Sequence, residues 1–163
     1  MNCKKYIKTI LLTALTAALI STSGYIDANA QTNTAPAAVQ QKAQSICVKP
    51  LTVVNSPAAY LNKSIIMNAK FDKFSTLGLD YKPAFKSSEE YISFLIKRDD
   101  TNFNIPLSEM KLFLKRTTAE KFIDLKTNDE IEIKGTVFSD ALGDTWVDVT
   151  ELKVIKKAPE EKK

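Results

Sequence analysis

Alternating apolar and polar residues predict five short strands between residues 65 and 155. In the clearest of them, Ile131, Ile133 and Val137 alternate with charged or polar residues, as in a strand with one buried face. In the last strand the apolar positions change phase between Val149 and Leu152, which predicts a β-bulge. The five predicted strands cover residues 65–71, 91–96, 103–107, 131–137 and 146–155.

Turn and cap residues separate these strands. Ser56 and Pro57 have the N-cap and N1 positions of a short helix over residues 56–61. The segment 75–90 contains Gly78 and Pro83 and predicts a long loop. Residues 107–115 fit neither the strand nor the helix period.

A second helix is predicted over residues 118–125. Thr117 and Glu120 have the spacing of a capping box. This helix would bury Phe122 and Leu125.

The predicted order is three strands, a helix and two strands, which is the order of the five-stranded Greek-key OB-fold. Two segments resemble that fold. The segment 60–67 reads as a short helix leading into the first strand, and 126–137 resembles the G-D-x-V-x-V-x-G-x-V entry to strand four. Asn128 replaces the usual glycine, and asparagine also tolerates positive φ.

The chain therefore resembles the small exported bacterial OB-fold proteins. This implies a mostly β, OB-like barrel with one short helix between strands three and four. An SH3-like or other small β-barrel is the structural alternative.

The first thirty residues have the three parts of a secretory signal peptide. Lys4, Lys5 and Lys8 precede an uncharged apolar stretch at 10–20, and Ala28-Asn29-Ala30 follows as a cleavage motif. We expect cleavage between Ala30 and Gln31, and a secreted or periplasmic protein.

The predicted domains are a signal peptide (1–30), a disordered or extended linker (31–56), the barrel (57–156) and a charged tail (157–163). Within the linker, residues 46–54 are interpreted as an extended strand or a docking segment. The chain carries a net charge of +4. The predicted signal peptide holds three lysines and one aspartate, so about +2 remains, too little to indicate nucleic-acid binding from charge alone.

The chain contains no histidine, which excludes Ser-His and Cys-His nucleophiles and the common zinc sites. We expect no cofactor. Cleavage would leave Cys47 as the one cysteine, so it would form no intramolecular disulfide and could link two chains in a dimer.

The resemblance implies a ligand across strands two and three, bordered by the loops after strands one and four. Aromatic and cationic side chains there suit bases, sugars or peptides. In the alternative interpretation, the lysines are solvated and Phe85 folds onto the barrel. Trp146 is either an exposed contact or a lid. The candidate ligand-binding residues are Tyr81, Lys82, Phe85, Lys86, Tyr91, Lys97, Arg98 and Trp146.

Three carboxylates recur at a spacing of four around Gly143, namely Asp140, Asp144 and Asp148. Oxygen ligands on a turn can hold Ca²⁺, but the spacing is not that of an EF-hand loop. We interpret them as ordinary turn and surface acids.

The preferred function is therefore an exported, non-enzymatic binding module. An envelope protein, peptide or glycan is favoured as partner over nucleic acid, because an exported protein does not meet intracellular nucleic acid. The alternatives are a cation-dependent hydrolase or nuclease on the same barrel, and a structural envelope protein linked through Cys47.

Overall fold

Five strands close a barrel, and a sixth short strand extends its sheet at one edge. The computed structural model describes residues 44–159, which fall in one compact unit. The predicted signal peptide and cleavage site, and the linker and tail residues 31–43 and 160–163, lie outside the described residues. The strands are β1 (Ile46–Cys47), β2 (Ser64–Ser75), β3 (Tyr91–Ile96), β4 (Met110–Lys115), β5 (Glu130–Ser139) and β6 (Thr145–Lys156).

The helices of the described residues are short. They are α1 (Pro50–Val54), α2 (Pro57–Tyr60) and α3 (Arg116–Ala119), with 3₁₀ turns at Lys82–Ala84, Glu120–Phe122 and Ala141–Gly143. None of the described helices is long and apolar enough to cross a membrane.

Strand pairing around the barrel runs β2, β3, β4, β6, β5 and back to β2. All of these pairs are antiparallel except β4 with β6, which is parallel. The helix α3 lies between the third and fourth barrel strands. The prediction of a mostly β, five-stranded OB-like barrel is therefore confirmed.

β2 closes the barrel because it pairs with two strands in succession. Residues 64–70 pair with β5, and residues 71–75 pair with β3, with a register shift between Phe71 and Lys73. β1 pairs in parallel with β2 at Ile65 and Ile66. β1 and α1 form the segment 46–54, for which the sequence predicts an extended strand or a docking segment.

The barrel core comes from alternate residues of the strands, as the patterns of β2 and β5 predict. Ile65, Met67, Ile131 and Ile133 are completely buried in it. α1 adds the buried Val53 to the same core.

A β-bulge in β6 confirms the predicted change of phase. Gly135 pairs with Val149 whereas Lys134 pairs with Glu151, so Thr150 is the extra residue. A Cβ on Gly135 would lie 2.5 Å from the Asp148 carbonyl oxygen, so only glycine fits beside β6 at this position.

The turn before β5 has the predicted left-handed residue. Asn128 has φ 75°. The buried Asp129 carboxylate next to it accepts hydrogen bonds from the backbone N–H groups of Lys126 and Ala158 and from Lys157 Nζ. Asp129 therefore ties the end of β6 to the turn.

The predicted third strand at 103–107 is wrong, because the third barrel strand is β4. Phe103 is 75% exposed in a loop that rejoins β3 through a single bridge between Lys97 and Pro106. β4 buries apolar residues on both faces: Leu112 faces the core, while Phe113 is buried in a second cluster. Its period-two pattern is therefore masked.

The predicted capping box is also wrong. The helix predicted over residues 118–125 corresponds to α3. It begins two residues earlier than predicted, with Lys115 at the N-cap, and no side chain caps it. A 3₁₀ turn follows at Glu120–Phe122, and both Phe122 and Leu125 contact the core. The helix predicted over residues 56–61 corresponds to α2. It starts as predicted, with Ser56 at the N-cap and Pro57 in the first turn, although the serine side chain makes no capping hydrogen bond.

Cys47 in β1 is disulfide-bonded. The second sulfur is not among the described residues, and the link between two chains stays a prediction.

Candidate functional site

An aromatic cluster occupies the outer face of the barrel, on the side of β4 and β6. We call this surface, formed by Tyr91, Phe113 and Trp146, the outer face. Trp146 is 1% exposed and its Nε1 donates to the Ala141 carbonyl at 2.7 Å. Its ring stacks on Phe113 at 5.7 Å between centroids. Trp146 is thus a packed residue of the outer face.

The loop 76–90 covers the outer face. Tyr81 stacks on Trp146 at 5.3 Å with an interplanar angle of 18°. Gly78 has φ +84°, and a Cβ there would lie 3.1 Å from the rings of both Phe113 and Trp146. The absence of a side chain at Gly78 lets the loop backbone lie against the two rings.

An ion pair fastens the same loop to β6. Lys86 Nζ lies 2.5 Å from Asp148 Oδ2, and the lysine side chain is only 14% exposed. The ammonium also lies 4.5 Å from the Tyr91 ring centroid and 4.9 Å from that of Phe138, within the range of cation–π attraction. The loop therefore covers the outer face with stacking and electrostatic contacts together.

The structure brings together half of the predicted ligand-binding residues, but as contacts within the protein. Tyr91 and Trp146 belong to the outer face, and Tyr81 and Lys86 of the covering loop pack against it. Lys82 and Phe85 are exposed on the covering loop, and Phe85 is 59% exposed rather than folded onto the barrel. The remaining two, Lys97 and Arg98, line a separate groove.

The three carboxylates around Gly143 do not form a cluster. Asp148 pairs with Lys86, and Asp144 pairs with Lys111 at 3.0 Å. Among residues 44–159, no three potential metal-ligating side chains lie close enough together to hold an ion. The lysines instead balance two of these charges.

The groove lies where β2 leaves β5 and joins β3. It encloses about 440 Å³, within the usual range for ligand sites. We call it the seam groove; its lining includes Pro50, Asn68, Lys70, Lys97, Arg98 and Asp99.

One edge of β2 has backbone groups along this groove that no described residue pairs with. Val48 N–H donates to the Ile66 carbonyl, and Lys97 N–H donates to the Lys70 carbonyl. Alternate residues of a strand direct their backbone groups to the same edge, so the N–H and C=O of Asn68 also point to this edge. No described residue pairs with them, because β1 ends at Cys47 and the pairing with β3 begins at Phe71. The N–H of Lys70 also has no partner among the described residues, although Lys97 lies opposite it.

Two buried side-chain oxygens have no hydrogen-bond partner among the described residues. One is Asn68 Oδ1, in a residue of the seam groove. The other is Ser93 Oγ, whose residue lies opposite Phe113 on the outer face. A buried polar atom without a partner is unfavourable, so a ligand that donates to Asn68 Oδ1 would relieve that cost.

The charged side chains of the seam groove differ in whether an oppositely charged side chain pairs with them. Arg98 donates to both carboxylate oxygens of Asp100 at 3.0 Å and to Glu109 at 2.5 Å. These bonds raise the pKa of Arg98 and lower that of Asp100. Lys70 and Lys97 form no ion pair among the described residues, although the carboxylates of Asp99 and Glu130 line the same groove.

Comparisons with known proteins give no family. No protein-family model matches the chain, and no curated protein matches it. Three of the similar solved structures follow. A Leishmania major protein assigned as an aspartyl-tRNA synthetase has a TM-score of 0.46 at 7% identity, over 74% of this chain and 22% of that one.

Asparaginyl-tRNA synthetase from Pyrococcus horikoshii has a TM-score of 0.46 at 19% identity, over 68% of this chain and 23% of the synthetase. The chain thus spans less than a quarter of either synthetase. The OBody AM1L10, solved bound to hen egg-white lysozyme, has a TM-score of 0.43 at 12% identity, over 61% of this chain and 85% of the OBody. The fold assignment rests on the strand order of the barrel itself.

Sequence reasoning missed Asn68 and Lys70. Both occupy the polar positions of an alternating strand, which is also the pattern of an ordinary solvated face. No signal in the sequence marks the gap beside them, because it depends on how far β1 and β3 extend along β2.

Proposed function

We propose that the protein is an exported, non-enzymatic binding module whose ligand occupies the seam groove. The observation that carries this proposal is the edge of β2 at Asn68 and Lys70, where backbone groups have no partner among the described residues, beside two lysines that form no ion pair there. Backbone donors and acceptors without partners are strong hydrogen-bonding groups. A ligand in the groove would satisfy them.

The outer face is a poorer ligand site in this structure. Phe113 and Trp146 are buried beneath the loop 76–90. A ligand stacking on them would have to displace Tyr81 and break the ion pair between Lys86 and Asp148. The seam groove requires no such displacement.

The shifted carboxyl groups of the described residues are held ionised by local hydrogen bonds. The carboxyl groups whose pKa is shifted are all shifted downward: Asp80, Asp100, Glu109, Asp129 and Glu151. A carboxylate with a lowered pKa stays ionised near neutral pH, whereas proton transfer is most efficient when the pKa lies near the working pH.

Export is part of the proposal, on the strength of the amino-terminal pattern of basic, apolar and small residues. Expression of the full chain in a bacterium, followed by fractionation and intact-mass measurement, tests it. We expect a mature protein that begins at Gln31 and is found in the medium or the periplasm. Full-length protein retained in the cytoplasm would contradict export.

The binding proposal is tested by ¹⁵N-HSQC spectra of the protein mixed in turn with pools of pentapeptides, oligosaccharides and mononucleotides. We expect at least one pool to shift the amide signals of Asn68, Lys70 and Lys97. Shifts confined to Tyr81 and Trp146 would assign binding to the outer face and overturn the groove proposal. The absence of shifts with all three pools would overturn it as well.

A further inference from the structure

A second pocket lies where the chain after β6 meets the turn before β5. It encloses about 780 Å³, and we call it the tail pocket. Its lining in the described part of the chain contains two lysines and no carboxylate side chain, namely Lys97, Asn104, Lys126, Thr127, Asn128, Ala158 and Pro159. Lys97 also lines the seam groove, together with Asp99 and Glu130. Lys126 is therefore the cation that the tail pocket does not share with that groove.

The carboxylate that follows this turn already has its partners. Asp129 is completely buried. Its Oδ2 accepts from the N–H of Lys126 and from Lys157 Nζ, and its Oδ1 accepts from the N–H of Ala158. Asp129 thus binds the backbone of Lys126, and each of its oxygens has a partner other than the Lys126 ammonium group.

The same hydrogen bonds determine where the chain leaves the barrel. The two oxygens of one carboxylate hold the N–H of Lys126 at 2.9 Å and that of Ala158 at 2.8 Å, so the two backbones lie side by side. Pro159 has a fixed φ and keeps the residue before it extended. Since Ala158 and Pro159 both line the pocket, the next residues of the chain start at the pocket, beside Lys126.

Those next residues are two adjacent carboxylates, Glu160 and Glu161, which lie outside the described residues. Glu160 follows the anchored Ala158 by two residues, or at most about 7 Å of extended chain. A group tethered this closely has an effective concentration on the order of millimolar. A separate anion would have to compete with it for the lysines of the pocket.

We propose that the tail pocket binds a short acidic segment, and that its occupant is Glu160 and Glu161 of the same chain. Their carboxylates pair with the ammonium groups of Lys126 and Lys97. This contact holds the end of the chain after β6 to the turn before β5, in addition to the hydrogen bonds of Asp129. The inference concerns a different site from the seam groove and does not depend on the ligand there.

The test compares ¹⁵N-HSQC spectra of the protein with those of two variants. One is Glu160→Gln with Glu161→Gln, and the other is Glu89→Gln with Glu90→Gln, an exposed acidic pair whose loss makes the same change in net charge. We expect only the first variant to shift the amide signals of the tail pocket. The wild-type signals should move towards those of this variant in about 1 M salt, which reduces the Debye length to about 3 Å. Unmoved pocket signals, or equal shifts in the two variants, would overturn the inference.

A lysine variant tests the partner of the two carboxylates. In a Lys126→Met background, the substitution of Glu160 and Glu161 should lose most of its effect on the pocket amides, because residues in one contact act non-additively. The exposed Lys121→Met is the matched control and should leave the effect unchanged. An undiminished effect in folded Lys126→Met would overturn the pairing, and the chemical shifts of β5 amides report whether the variant is folded.

The alternative occupant is the same segment of a neighbouring molecule. Binding within one chain does not depend on protein concentration, so we expect the wild-type pocket signals to stay in place on dilution. Signals that move on dilution towards those of the variant with Glu160→Gln and Glu161→Gln would assign the segment to a second molecule and overturn the inference.

Discussion

Replacing Asp129 with asparagine should destabilise the barrel at neutral pH. The carboxylate is completely buried and accepts three hydrogen bonds, from Lys126 N–H at 2.9 Å, Ala158 N–H at 2.8 Å and Lys157 Nζ at 2.9 Å. Asparagine offers one oxygen and one NH₂ group. In either orientation of the amide, at least one backbone N–H faces a second donor.

The magnitude follows from the bonds that are lost. A hydrogen bond to a charged group contributes about 1.5–3 kcal/mol, whereas the pair with the exposed Lys157 contributes little. We expect Asp129→Asn to lower the free energy of unfolding by about 2–3 kcal/mol. For a domain of this size, about 4 °C per kcal/mol gives a fall in Tm of roughly 8–12 °C.

The difference between the two proteins should depend on pH. Burial acts to raise the pKa of Asp129, but the hydrogen bonds from Lys126, Ala158 and Lys157 outweigh it and lower the pKa below 3.8. The stabilisation is therefore fully present above the unfolded pKa of 3.8 and is lost as the pH falls through the lower folded value.

Urea denaturation of both proteins across this pH range measures the effect, with the exposed Asp124→Asn as control. We expect the two unfolding free energies to converge in acid and Asp124→Asn to match the wild type throughout. An Asp129→Asn variant as stable as wild type at neutral pH would refute the argument, and so would a difference that grows in acid.

Two further predictions concern the loop over the outer face. Gly78→Ala should destabilise the protein by about 1 kcal/mol more than Gly143→Ala, because both positions have positive φ but only the Cβ at 78 meets the Trp146 ring. Gly78→Ala should also increase the quenching of Trp146 fluorescence by iodide. Equal effects of the two variants would contradict the packing argument. Lys86→Met should lower the free energy of unfolding by about 1–2 kcal/mol, because it leaves the half-buried Asp148 without its ion pair. In urea denaturation, adding Asp148→Asn should recover most of that loss. A further, additive loss in the double variant would contradict the assigned role of the pair.

The sequence predicts β5 well and β4 badly for one physical reason. β5 is buried on one face, so its apolar residues alternate cleanly. β4 is buried on both faces, since Phe113 packs under Trp146 while Leu112 and Leu114 fill the core. Alternation of apolar and polar residues in the sequence therefore identifies only strands that have one polar face.

Aromatic side chains of the outer face were predictable as a group but not as packing partners. Tyr81, Tyr91 and Trp146 lie on the elements that the OB resemblance places around one surface. Whether the loop 76–90 leaves them exposed or covers them depends on tertiary contacts such as the stacking of Tyr81. The seam groove is harder still to predict, because it is created by the limited lengths of β1 and β3.

Hydrogen exchange along β2 tests the central claim most directly, namely that this strand has an unpaired edge beside the seam groove. Met67 and Ala69 pair with Ile133 and Ile131 of β5, so their amides should exchange slowly. The amides of Asn68 and Lys70 should exchange much faster in the same ¹⁵N-labelled protein. Equal protection of all four amides would show that the edge is closed and would contradict the account.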